Sequence, residues 1–238
     1  AISLSVPKDN LAQDRVWWIG GNGNDWDEPQ NWCDTFTDYG NDGEYVCSKW
    51  GVPDNTKEVY VGIQNVLGPG YSFPELPDDS DININVNQDV HINSYQQKGG
   101  VVNQDNGFTF TVNETFEALD NSQFNITVGE LLRVGEDVIV DNSSSLDPGS
   151  GLSLELFGSG EQNLSPNISE MDTLIASGGG RKNLQDDLTV TNGLEMQDGN
   201  IHTNGYLLTL GYGTAAGEGG RVEHISGSVI GSFRRWIE

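Results

Sequence analysis

Positive charge is scarce in this chain. Eleven Lys+Arg stand against 36 Asp+Glu in 238 residues, a formal net charge of −25, and three histidines cannot change its sign. Nucleic acid is gripped through phosphates by clustered Lys and Arg, and the only basic pairs are Arg181-Lys182 and Arg234-Arg235. No nucleic-acid partner is expected, and an anionic membrane surface is disfavoured for the same reason. No apolar run approaches the ~18 residues of a membrane span, so no membrane insertion is expected either. Cysteine is reduced to Cys33 and Cys47. In a polar, loop-like segment this pair is read as a disulfide of an oxidising compartment, worth on the order of 3 kcal/mol; two unrelated thiols are the alternative. Zinc finds too few ligands, since His91, His202 and His224 stand at no recognised spacing. No stretch sustains a 3.6-residue apolar period; VGELLRVGED (128–137) breaks at glycine.

The hydrophobic fraction is 35%, below the usual ~45–50%, yet the apolar residues are regularly placed. DININVNQDVHIN (81–93), FTFTV (108–112), FNITV (124–128), DVIV (137–140), LSLELF (152–157) and DLTV (187–190) alternate with period two between turn residues, the pattern of half-buried strands. Gly193, Gly199, Gly205, Gly211 and Gly217 recur every six residues. A few extended residues followed by a glycine-bearing corner is one side of a polygonal coil, and three sides make a turn of ~18–25 residues. The predicted fold class is all-β, a right-handed parallel β-helix or β-solenoid with a Trp-rich N-terminal cap; a β-sandwich is the alternative. Stacked turns pair every backbone amide and enclose one slim core, which suits a chain with few large hydrophobes.

Composition divides the chain. Residues 1–77 hold Trp17, Trp18, Trp26, Trp32 and Trp50 of the six tryptophans, both cysteines and six of the eight prolines; they are expected to form a cap segment. Residues 78–238 are expected to form the solenoid repeats, with the proline-rich tract Pro69–Asp81 as the joint. The first residue, Ala1, is neither methionine nor part of a charged-then-apolar leader, which fits a mature secreted product or an excised piece.

WWIGGNGNDWDEPQNW (17–32), followed by WGVPDNTKEVYVG (50–62), resembles the opening of β-helical regions in large secreted bacterial surface proteins. The stretch 156–211, with GRVEHISGSVIGSFRRWI after it, is similar to a repeat region of secreted and surface proteins of Bacteroidetes, many of them cargo of the type IX secretion system. Together these matches cover about half the chain. The resemblance implies an extracellular or cell-surface location and an amino-terminal part of a longer protein that continues into further domains. It also implies contact with secretion machinery or other surface proteins.

Candidate chemistry is modest. Trp17, Trp18, Trp26, Trp32 and Trp50 are candidates for a carbohydrate-binding surface, since exposed rings stack on sugar faces; packing as a lid over the solenoid's open end is the competing reading, favoured by the W…W…NW spacing of the resemblance. Asn22, Asn24, Asp25 and Asp27, with Asp78, Asp79 and Asp81, are candidate calcium ligands, because hard cations take six to eight oxygens; Asx-rich turns also satisfy themselves. Arg133, Arg181 and Arg221, or Asp186 and Asp187, are imaginable in a polysaccharide lyase or hydrolase, but no spacing singles them out. The sequons at Asn113, Asn125, Asn142 and Asn167 are ascribed to composition. The expected function is a non-catalytic structural or adhesive module, with calcium as the one cofactor considered and extracellular polysaccharide or surface proteins as partners. The alternatives are a carbohydrate-binding module and the leading part of a polysaccharide-degrading enzyme.

Overall fold

Period-two segments with turn residues every few positions cannot bury an apolar face alone; they bury it by winding. A computed structural model, describing residues 15–20, 23–38, 45–62, 82–104, 107–127, 129–146, 151–215 and 217–237, is a parallel β-solenoid of about seven turns. Among the described residues the only helical element is a 3-10 turn at Pro29–Asn31, and no helix is long and apolar enough to cross a membrane. The proposed joint at 69–81 lies outside the described residues.

Each turn has three sides. The first wall stacks Arg15–Trp18, Glu58–Val61, Ser94–Lys98, Phe116–Leu119 and Val138–Val140 in parallel. Above them come Glu161–Leu164, Arg181–Leu184 and the leading part of Asn200–Leu210. A second sheet stacks Asn83–Val86, Val101–Gln104, Gln123–Ile126 and Ser145–Leu146. The third wall stacks Val90–Ile92, Thr109–Val112, Leu131–Val134 and Ser153–Leu156, continuing through 173–176, 193–196 and Arg221–His224. Residues bonded from turn to turn stand 20 to 22 apart in much of the stack, within the length expected from three glycine-cornered sides, and 26 to 29 apart at Asp137–Asn163 and in the last turn.

Alternate residues of each side point inward, so like residues stack in columns. On the third wall Phe110, Leu132, Leu154, Leu174 and Leu194 share one register position and are all buried. Full burial of each such side chain contributes roughly 1.5–3 kcal/mol. One core cluster runs from Trp18, Trp26 and Trp32 through Leu210, so the described part of the tryptophan-rich zone shares sheet and core with the repeats.

The corners are stitched by side chains. The backbone amides of Asp120, Asn121 and Ser122 donate to Asp141 Oδ2 (2.7 Å), Ser143 Oγ (3.0 Å) and Ser144 Oγ (3.1 Å) of the next turn. Burial alone would raise the Asp141 pKa, but the Asp120 amide and the Ser144 and Ser143 groups outweigh it and hold it at about 2. The six-residue glycines are not all corners, since Gly193 is ladder-paired within the third wall. Gly205, Gly211 and Gly217 adopt positive φ; Gly199 does not, and needs closeness instead, a Cβ there falling 3.1 Å from the Ala176 carbonyl carbon. In the last turn, His224 and Arg235 occupy the register positions of buried Met196 and Leu210 and bond Gly227 O and Gly220 O.

Candidate functional site

The tryptophan-rich segment packs before it presents anything. Trp18 meets Trp32 edge-on at 5.0 Å, Trp26 meets Trp32 at 4.5 Å, and Trp26 reaches Phe110 at 5.3 Å. The Trp32 indole donates to Trp26 O at 2.7 Å, and Asn31 Nδ2 to Asp25 O at 3.1 Å. Beyond Asn31, Trp32–Asp38 pairs antiparallel with Arg15–Trp18 and with Tyr45–Trp50, a pairing closed by the Cys33–Cys47 disulfide with Cα atoms 5.6 Å apart. Trp17 stacks on Tyr60 at 5.8 Å. Trp17, Trp18, Trp26 and Trp32 are therefore all buried, which withdraws them from a stacking ligand, and only Trp50 is exposed, at 46%.

The acidic turn beside them is similarly engaged. Asn24 O accepts the Asn85 amide at 2.7 Å, and Asp27 Oδ1 accepts Asn87 Nδ2 at 3.0 Å. Asn22, Asp78, Asp79 and Asp81 lie outside the described residues. Among the described residues no group of three His, Cys, Asp or Glu is arranged to hold a metal ion.

The basic and acidic residues considered for catalysis are dispersed over the solenoid, and all but Asp186 bond to a neighbouring turn. Arg133 Nε donates to Glu155 Oε2 at 2.6 Å, Arg181 Nη2 to Asn204 Oδ1 at 2.9 Å, and Arg221 pairs with Glu195 and Glu223. Asp187 Oδ1 accepts the Leu207 amide at 2.8 Å, and Asp186 Oδ1 accepts the Asp187 amide at 2.8 Å.

What sequence reading did not single out is a groove that runs from the outer face of the third wall onto its corner with the first. It consists of two depressions of about 690 and 420 Å³ that share Asn113 and Phe157. The larger is floored by Gly135, Gly158 and Gly178 and edged by Glu136, Asp137 and Glu161; the smaller is lined by Asp89, His91, Thr111 and Arg133. Close stacking of turns at this corner requires glycine: a Cβ on Gly135 would lie 2.0 Å from Asn113 O, and one on Gly178 would lie 1.7 Å from Phe157 O, both on the preceding turn. Its signal in the sequence is GED (135–137), FGSGE (157–161) and SGGGR (177–181), glycine returning at one corner of successive turns.

Hydrogen bonds fix the groove's polar groups. Asp137 accepts the Asn163 amide at 2.7 Å and Asn163 Nδ2 at 3.2 Å on each oxygen. Glu161 Oε1 accepts Asn183 Nδ2 at 2.6 Å, and Asn183 bonds on to Asn163 and Asn204, making an asparagine ladder through the first wall. His91 Nε2 lies 2.8 Å from Asn113 Oδ1. The Arg133 guanidinium sits 5.1 Å from the Phe157 ring centroid, within cation–π range. Behind the floor, Lys182 is 1% exposed and donates to Gly158 O and Gln162 Oε1. Burial lowers its pKa to about 8 against the opposing pull of Asp198 and Glu155. The surface thus sets several hydrogen-bonded polar groups, Asp137, Glu161, Asn113 and Arg133 among them, around a glycine-rich corner, an arrangement suited to binding. No family model matches the chain, and neither a curated protein nor a solved structure matches it.

Proposed function

We propose that this chain is a non-catalytic, extracellular structural and adhesive module of a large bacterial surface or secreted protein. The observation that carries the reading is the continuity of core and sheet through about seven turns. At ~4.8 Å per turn this is a prism roughly 30 Å long, stiffened because each turn is bonded to its neighbours on all three sides. Such a unit holds binding surfaces at a fixed distance from whatever anchors it. The Cys33–Cys47 bridge favours an oxidising setting, and a net charge of −25 keeps like modules apart.

The bacterial source, the type IX route and contact with secretion machinery rest on the sequence resemblance alone. Calcium has as its support the acidic turns and the net charge. The carboxylates and guanidinium groups described above are bonded into turn-to-turn ladders, an arrangement that favours scaffold over reaction centre. The reading is tested by labelling intact source cells and their culture medium with an antibody to this chain. Label on the cell surface or in the medium is the expected result; label confined to the cytoplasmic fraction would refute it.

A further inference from the structure

Five tryptophans first suggested a glycan site, and burial of four of them moves the question to the corner groove. We infer that this groove binds an extended, uncharged polysaccharide chain, lying along the solenoid axis between Asn113, Phe157 and the glycine floor. The inference rests on the reading of the chain as a surface module and gives that module a ligand class.

Four observations point the same way. First, the lining comes from successive turns, from Asp89 and His91 through Asn113, Arg133 and Phe157 to Gly178. At ~4.8 Å between turns the groove is roughly 19 Å long, which suits a linear polymer better than a compact small molecule. Second, its groups are of the kind that hydroxyls bond: the Asn113 amide, the Glu136 carboxylate, the Arg133 guanidinium and the exposed Ser159 hydroxyl. Arg133 is held by Glu155 and Asn113 by His91, so for these two groups little ordering cost falls on binding.

Third, Phe157 is partly exposed where the two depressions meet, giving an apolar surface for the C–H face of a sugar ring. Gly160 beside Phe157, where even a Cβ would meet nothing within 4 Å, leaves the approach to the Phe157 ring open. Fourth, charge selects among polymers. Asp89, Glu136, Asp137 and Glu161 line the groove, while Arg133 is paired with Glu155. A uronate or sulfated chain would meet repulsion that a neutral one does not.

The test is affinity electrophoresis of the whole chain in gels containing xylan, galactomannan, laminarin or dextran, with polygalacturonate and poly-lysine as charged controls. Retardation by at least one neutral polymer is expected. Phe157→Ala and Asn113→Ala should each weaken it tenfold or more, while Trp50→Ala leaves it unchanged. Gly160→Arg is the variant least able to disturb the fold, because a Cβ there meets nothing within 4 Å, and its long side chain should block the groove. No retardation by any neutral polymer overturns the inference, as does retardation that survives Gly160→Arg. Loss with Trp50→Ala would place the ligand at the tryptophan-rich end instead, and retardation by poly-lysine alone would make the groove a cationic-peptide site. None of these outcomes touches the antibody test of surface location, so the two readings fail separately.

Discussion

Gly158 rests on Gly135 of the preceding turn so closely that a Cβ on Gly158 would stand 1.8 Å from the Gly135 carbonyl oxygen. That oxygen belongs to the backbone, so relief requires the two turns to part. Gly158→Ala is expected to destabilise the fold by about 2–4 kcal/mol, in the range of overpacking and backbone-strain substitutions. Gly160→Ala, two residues away with open space around its Cβ, should stay within about 0.5 kcal/mol of the parent. Urea unfolding of both variants checks the contrast; equal stabilities would show that the corner opens easily.

Trp32 and Trp50 belong to one motif-rich segment yet should behave in opposite ways. Trp32 is fully buried against Trp18 and Trp26 and donates its indole N–H to Trp26 O. Trp32→Ala is expected to cost about 3–5 kcal/mol. Trp50→Ala, at a ring 46% exposed, should cost much less. Thermal unfolding of the two variants reads the difference directly.

This contrast shows how far the sequence could be read. Period-two segments and glycine spacing were enough for a solenoid, because strand alternation and corner chemistry are local properties. The W…W…NW spacing was compatible with both a lid and a glycan surface, since a tryptophan carries the same apolar ring to either. Only the position of Phe110, some eighty residues beyond Trp26 and packed on it at 5.3 Å, decides between them. The groove was illegible for a related reason. Gly135, Gly158 and Gly178 are ordinary turn glycines one at a time, and they become a floor only once stacking register places them on one corner. Nor does the basic pair Arg181-Lys182 announce that the Lys182 side chain is buried behind that floor, bonded to Gly158 O.

Burial of Lys182 makes a pH-dependent prediction. Its folded pKa is lowered to about 8 from 10.5, burial being the main cause. Between these values the unfolded chain binds more protons than the folded one, so stability rises with pH. The penalty of the buried ammonium is full below about pH 8 and fades as pH climbs toward 10.5. Relative to Lys182→Met, which lacks the titrating group, the parent should gain about 2 kcal/mol between pH 7 and pH 10. Urea midpoints for both proteins across that range provide the measurement; parallel curves would mean that the lysine stays charged and well solvated.

Asn183 sits between Glu161 and Asn204 in the first-wall ladder, donating to Glu161 Oε1 at 2.6 Å and to Asn163 Oδ1 at 3.2 Å while accepting from Asn204 Nδ2 at 3.4 Å. It is 3% exposed, whereas Glu161 and Asn204 are exposed and regain water when the ladder is cut. Asn183→Ala is expected to cost about 0.5–1.5 kcal/mol. Asn183→Asp keeps the shape but replaces the donor facing Glu161 with a second carboxylate. Near neutral pH it should therefore cost more than the alanine variant, like charges being forced together in a poorly solvated place. Protonating either carboxyl restores a donor, so the excess should shrink as pH falls through the carboxylate range, narrowing the gap between the two variants. Stability of both from pH 7 to pH 4 distinguishes a bonded ladder from a mere row of asparagines: a row would make the two substitutions equivalent at every pH.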